Sequence, residues 1–380
     1  MKIVMPCFYD EFECIADKCT CTCCKGWGIN IDANTYSKYQ KFDGELGELS
    51  KNCISKLDNK NEYRIILDEN GFCPFLDENG LCKIVKTKGA DYLSDVCTTY
   101  PRTTTNYADI YELYLTPSCP AVVEFFYKYE NLYLHEETDG NKKAPNESEK
   151  QILFDSELSN LFISMIRFPE VPLWVKQYLV LRLADKIKEP YLNKDYNTVA
   201  DITTEYTDIT SFAEMSIAIL RSGFEKNDIK YSNLEEMRKK YTSYNLQEIF
   251  SQEDYSDIES RSPEQLREQE IEFNSTVYKK IEYVLQNLCI NEIYSNLKKN
   301  TGNYYLYTNI AMIFIHTALI KYCMFIYLLK NKKILTKEDQ IKIIALTSRD
   351  FYHCSQKVSA LYETNKDVFL PNNMLIFLRY

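Results

Sequence analysis

Apolar and polar positions change their period once along the chain. In the first part they alternate in short runs separated by turn residues. Residues 27–32 (WGINID) alternate, and residues 62–67 (EYRIIL) are β-branched and aromatic, so both predict strands. Short helices interrupt them. Asp32 is placed to N-cap a helix through Tyr36 and Tyr39, residues 90–96 predict a helix ending at Cys97, and Pro120 stands at the first position of a longer one over 121–134. The polar stretch 135–150 (HEETDGNKKAPNESEK) has no period and reads as a linker. Beyond it the spacing becomes three and four. Residues 152–168 and 172–189 predict a helical hairpin, with Pro169 and Pro172 at its corner and Pro190 closing it, and residues 200–224 a further helix ending near Gly223. Ser262-Pro263-Glu264-Gln265 is a capping box that opens a long helix to residue 299, and Thr336 caps another over 337–363, before Pro371 breaks the chain. The run 309–329 approaches transmembrane length, but His316 and Lys321 interrupt it, and it reads as a buried core helix without membrane insertion. The expectation is an α+β chain: a small Cys-rich domain of α-helix and β-ribbon over 1–134 that binds metal, the linker 135–150, and an α-helical bundle over 151–380.

Composition narrows the chemistry. The 380 residues carry 45 Lys and Arg against 55 Asp and Glu, a formal charge of −10, with no basic cluster to neutralise phosphates, so no nucleic-acid partner is expected. Ten glycines form neither G-x-G-x-x-G nor a P-loop, so any cofactor is held by other means. The 31 tyrosines follow, with abundant Lys, Asn and Ile, from AT-rich coding. Residues 1–12 (MKIVMPCFYDEF) have no apolar signal region, which predicts a cytoplasmic protein with reduced thiols.

Eleven of the 14 cysteines lie between Cys7 and Cys119. In a reducing compartment such density reads as metal binding or redox chemistry before disulfides. The first group is Cys14, Cys19, Cys21, Cys23 and Cys24, followed by Lys25-Gly26-Trp27. Residues 67–73 (LDENGFC) and 76–82 (LDENGLC) then repeat with one change, and each Asn-Gly is a hairpin signal, so a small meander delivers Cys73 and Cys82. Cys119 precedes Pro120, at a helix N-terminus whose dipole favours a thiolate. Eight cysteines, Cys14, Cys19, Cys23, Cys24, Cys73, Cys82, Cys97 and Cys119, suffice for two four-ligand sites. Spacing alone suits zinc and an iron–sulfur cluster equally.

The runs Phe12-Glu13-Cys14-Ile15, Cys23-Cys24-Lys25-Gly26-Trp27, Cys73-Pro74-Phe75-Leu76-Asp77, Gly80-Leu81-Cys82, residues 93–102 (LSDVCTTYPR) and Ser118-Cys119-Pro120 together resemble the flagellin lysine-N-methylases. They also resemble the broader zinc- or iron-chelating cysteine-cluster proteins. The resemblance spans about residues 5–121, with a weaker likeness at Arg349 and His353. Cys21 departs from the family pattern and is left out of the ligand set. The resemblance implies methyl transfer from S-adenosylmethionine to the ε-amino group of lysines on flagellin, dependent on an iron–sulfur cluster, [4Fe-4S] in type, with zinc as the alternative. The helical part would dock the protein substrate. The radical-enzyme C-x3-C-x2-C triad is absent, which favours polar transfer.

An acceptor lysine must lose its proton before attack, and Tyr100 and Asp32 are the candidates for that task, although Asp32 also suits a helix cap and Tyr100 a core position. Arg102 is a candidate partner for the donor's carboxylate and Trp27 for its sulfonium. His316 and His353 read as core or surface residues. A rival reading keeps the metal and drops the catalysis: a structural or redox-sensing module whose helical half binds a partner.

Overall fold

The computed structural model describes residues 2–57, 62–107, 109–138, 147–221, 261–297, 305–331, 334–353, 373–374 and 378–379, and for 147–150, 263, 305, 331, 352 and 353 the backbone alone. Strand β1 (Lys2–Pro6) opens the chain. β2 (Asn30–Asp32), α1 (Ala33–Tyr39), α2 (Gly44–Asn52), β3 (Ile54–Lys56) and β4 (Glu62–Ile65) follow, then α3 (Lys83–Lys88) and α4 (Asp95–Thr99). Next come β5 (Arg102–Tyr107), β6 (Ile110–Leu115), α5 (Pro120–Lys128) and β7 (Leu134–Thr138). The helical part is α6 (Glu147–Ile166), α7 (Leu173–Lys186), α8 (Lys188–Leu192), α9 (Tyr196–Thr207), α10 (Ile209–Arg221), α11 (Pro263–Phe273), α12 (Lys279–Asn296), α13 (Tyr305–Asn331) and α14 (Lys337–His353). The α+β class holds, with sheet and turns first and helices after.

Two sheets form, and they sort the cysteines. One has the order β5-β6-β1-β7: β1 runs parallel to β6 and antiparallel to β7, which places His135 opposite Met5. The residues read as a linker therefore begin as a strand, because His135 to Thr138 complete the free edge of β1; residues 139–146 lie outside those described. The second sheet, β2-β4-β3, is smaller and antiparallel.

Two hydrophobic cores follow, and the larger crosses the expected division at 134 while the smaller lies wholly before it. The larger joins Val4, Phe8, Leu115, Val122 and Phe126 to the helices through Phe162, Leu179, Leu288 and Phe314. Buried amides key the two together. Asn287 on α12 donates to the Phe126 and Tyr129 carbonyls at 3.1 and 2.6 Å and accepts from the Leu132 N–H at 3.0 Å. Asn291 donates to the Leu115 carbonyl, and the Tyr294 hydroxyl to that of Val4 at 2.7 Å. The smaller core has nine members: Ile29, Ile31, Tyr39, Phe42, Leu46, Ile65, Cys73, Phe75 and Ile84. It belongs to a lobe of its own, residues 24–97.

Local expectations meet the structure in detail. The Ser262 capping box is complete, with Gln265 returning a bond to the Ser262 N–H at 3.0 Å. Thr336 caps α14, accepting from Asp339 N–H at 3.1 Å. The helix expected over 200–224 is two, since Asp208 turns to accept the Ser211 N–H and starts α10. Pro190 does not end its hairpin but sits in the first turn of α8, where no N–H is needed. The helix after Pro120 stops at Lys128, so the chain is free to return as β7. Residues 306–330 are long and apolar enough to cross a membrane, yet 83% of the most apolar stretch is buried inside the protein, as the core reading expected. Cys354, the helix end at 363 and Pro371 fall outside the described residues.

Candidate functional site

Two copies of one turn build the small lobe. In each, an aspartate accepts backbone N–H groups two and four residues on: Asp68 from Asn70 and Phe72, and Asp77 from Asn79 and Leu81, at 2.8 to 2.9 Å. Gly71 and Gly80 hold φ of +79° and +74°, the left-handed region that favours glycine. The turns are as expected, but the flanking residues form isolated bridges, Lys25 with Phe72 and Leu76 with Cys82, in place of continuous strands. The first bridge brings the cysteine-rich loop onto the first turn. Gly26 N–H donates to Gly71 and Cys73 N–H to the Cys24 carbonyl at 2.8 Å.

That pairing makes the thiols electrostatic neighbours. Cys24 is felt by Cys73, Cys82 and Cys97, and those three by one another. Cys119 is felt by Cys14, Cys19 and Cys23. The eight cysteines thus fall into two overlapping quartets, joined where Cys23 and Cys24 share a hydrogen bond. Cys23 keeps its proton, donating it to Cys24, which is held down at about 7 by that bond first, with help from Thr22 and Arg349. Burial pushes Cys73 and Cys82 up, and takes Cys97 to about 11 and Cys119 to about 12. For Cys119 this reverses the expected dipole effect: α5 donates the Val122 and Ala121 N–H groups to the sulfur, but desolvation outweighs them. Cys97 lies inside α4, where the Ser94 hydroxyl caps the helix by accepting its N–H, and not at the end of a preceding one.

Buried thiols that repel one another when ionised need a cation to become ligands, and a metal ion deprotonates a bound thiol outright. The donor set, eight cysteine thiols, suits zinc or iron–sulfur chemistry in kind. Among the described residues no three His, Cys, Asp or Glu side chains stand close enough together to hold an ion as they are.

The other candidates separate. Trp27 is at the thiols: its indole N–H donates to the Cys23 carbonyl and its ring lies 5.6 Å from that of Tyr100. Tyr100 is a half-buried phenol bonded to Ser118 at 3.0 Å, and desolvation pushes its pKa up. Asp32 caps α1, both carboxylate oxygens taking bonds from Thr35 at 2.8 and 2.6 Å. Arg102 donates to the Phe12 carbonyl at 3.0 Å and stacks over the Phe12 and Tyr9 rings, which fixes the chain leading to Cys14 and leaves the guanidinium engaged. His316 is a core residue, as read, within 2.6 Å of Glu292, and the side chain of His353 lies outside those described.

A cleft of about 440 Å³ opens beside the thiols. Cys19, Cys73, Phe72, Pro74 and Leu76 line it, with Asp17, Asp68, Asp77 and Glu78 as its carboxylates. It was not foreseen, because its wall joins residues 16–22 to both turns across fifty residues of sequence. Arg349, singled out in the sequence only by a weak family likeness, lies with Ile341 and Ala345 at a four-residue spacing on the buried face of α14.

Comparisons with known proteins agree on one family. The model described as the FliB lysine N-methylase C-terminal domain matches residues 159–377. Over 126 residues the chain is 35% identical to the flagellar biosynthetic protein FliU of Salmonella muenchen, covering 32% of this chain and 75% of that one. The same identity over 126 residues relates it to the lysine-N-methylases of Salmonella typhimurium and Salmonella choleraesuis, where the match covers 31% of their length. No solved structure matches the chain.

Proposed function

The chain belongs to the FliB lysine N-methylase family, and from that premise we propose that it transfers methyl groups from S-adenosylmethionine to lysine side chains of flagellin, with a metal centre held by the thiol lobe. Cys24, Cys73, Cys82 and Cys97 would hold one site, and Cys14, Cys19, Cys23 and Cys119 the other four-thiolate position. An iron–sulfur cluster held by only three of the four thiolates at one of these positions, so that one iron lacks a cysteine, would chelate the amino and carboxylate groups of the donor. The observation that carries the reading is the acidic cleft beside the thiols.

Its shape and charge suit a lysine. Phe72, Pro74 and Leu76 offer apolar wall to the four methylenes, and the carboxylates attract the ammonium. Lys86 pairs with Asp77, so the attraction comes chiefly from Asp17, Asp68 and Glu78. Because the cleft is open, the ammonium gives its proton to water before attack, and the rate rises with pH toward the pKa of lysine. The neutral Nζ then attacks the S-methyl carbon, the C–S bond breaks as the N–C bond forms, and S-adenosylhomocysteine leaves. Trp27 presents its ring to the sulfonium, and Tyr100, bonded to Ser118, keeps Trp27 in place.

The test is transfer itself. Full-length protein purified without oxygen, incubated with S-adenosylmethionine and flagellin, should add increments of about 14 Da to flagellin lysines by mass spectrometry, and Asp17→Asn with Glu78→Gln should raise KM more than it lowers kcat. Metal content without any transfer would favour the non-catalytic module instead.

A further inference from the structure

The cysteine-rich loop that leads into the thiol lobe receives one group from the other end of the chain. Arg349 of α14 is 9% exposed, and its Nη2 donates to the Cys21 carbonyl at 2.7 Å. A guanidinium so placed has left water and must find compensation. Among the described residues no carboxylate forms an ion pair with it. What it faces is the Cys19-to-Cys24 loop, whose Cys21 carbonyl takes its Nη2.

The bundle fixes where this charge sits. At its start α14 is tied to α5 by Lys337 with Glu124 at 2.7 Å and by Tyr127, which donates to Gln340 at 2.7 Å. Nine residues on, about 14 Å along the helix, comes Arg349. Just past it Phe351 stacks on His316 at 4.5 Å, and His316 in turn meets Glu292 at 2.6 Å, both wholly buried. Thus α12, α13 and α5 together determine where α14 delivers its guanidinium.

We propose that Arg349 is a positioning residue for the metal site: through it the helical bundle sets the Cys19-to-Cys24 loop and supplies positive charge that a thiolate-held metal centre needs. The proposal rests on the metal reading above. Removing the charge weakens the hold on the metal and makes a cluster harder to reduce, since net charge and outer hydrogen bonds tune both properties. A lysine restores the charge without the fork that reaches Cys21.

The experiment compares full-length wild type, R349K, R349Q and the surface control K128Q, all purified without oxygen. It reads iron, sulfide and zinc per chain, the rate of metal loss to a chelator, the midpoint potential where iron is present, and far-ultraviolet circular dichroism. R349Q should lose metal on the order of ten times faster than wild type and show a more negative potential. R349K should lie between them, K128Q should match wild type, and all should keep the helical spectrum. R349Q indistinguishable from wild type in metal loss and potential overturns the proposal. So does equal metal loss in R349K and R349Q with a collapsed helical spectrum, which makes Arg349 a packing residue. A wild-type chain holding neither iron nor zinc overturns the metal reading and this proposal with it.

Discussion

In the bundle, buried polar side chains meet partners on other elements: Glu292 meets His316, Lys176 meets Gln286, and Asn287 satisfies three backbone groups at once. In the thiol lobe, nine buried apolar side chains and two tight turns surround sulfurs whose charges oppose one another. In the first region protein atoms meet most of these groups, although Glu292 Oε2, Asn291 Oδ1 and Ser348 Oγ are buried without a hydrogen-bond partner among the described residues. The second has a core of the size at which small domains call on metals or disulfides for stability. The difference is why the proposed metal is assigned to the thiol lobe, where like groups crowd together, and not to the buried charges of the bundle.

The comparison breaks most visibly on substitution of single cysteines. Cys73→Ser or Cys82→Ser should strip the metal and unfold the lobe, a loss of several kcal/mol because metal binding is folding free energy there. Cys289→Ala, in the bundle against Thr317 at 3.3 Å, should cost about 1–2 kcal/mol and leave metal content intact. Metal analysis with urea unfolding checks both. Equal metal retention in all three variants would undo the distinction between the regions.

Asn287→Ala tests the bundle's side of it. Losing its bonds leaves the Leu132 N–H and two carbonyls without their partner, costing about 2–4 kcal/mol. The urea midpoint should fall while metal per folded chain stays constant.

The two states of the lobe should answer to pH with opposite sign. Without metal, the Cys97 and Cys119 thiols are raised by burial to about 11 and about 12 from the ordinary 9.0. The fold binds their protons more tightly than the unfolded chain does, so the stability they contribute is present below pH 9 and is lost as pH rises toward 12. With metal, the ligands are thiolates, and stability is lost as pH falls and protons compete. Thermal melts of the chelated and loaded protein from pH 5 to 10.5 check this, and parallel curves would contradict it.

Gly80→Ala is the smallest probe. No atom obstructs a Cβ there, so only the positive φ opposes it, and about 1 kcal/mol of lobe stability should be lost.

Much of this was legible in the chain. The repeated LDENG turns, the Ser262 and Thr336 caps and the burial of the 309–329 run rest on interactions within a few residues, and those the sequence pattern displays directly. The lobe's true limits, residues 24–97, were not legible, because β1, β6 and α5 look like parts of the cysteine region and only packing against α12 assigns them to the larger core. The same holds at the site. The cysteines stand out by spacing, but the cleft and the contact of Arg349 with Cys21 arise where segments far apart in sequence meet, and no local period records such a meeting. Arg102 and Asp32 show the converse, since chemically apt residues were claimed by nearer partners, Phe12 and Thr35.

The most direct measurement is the metal content of the full-length protein prepared without oxygen. The account predicts a brown protein with about four iron and four sulfide per filled cluster, or stoichiometric zinc if the thiols hold that ion. A colourless, folded protein with neither iron nor zinc, and with its lobe thiols freely titratable, would contradict it.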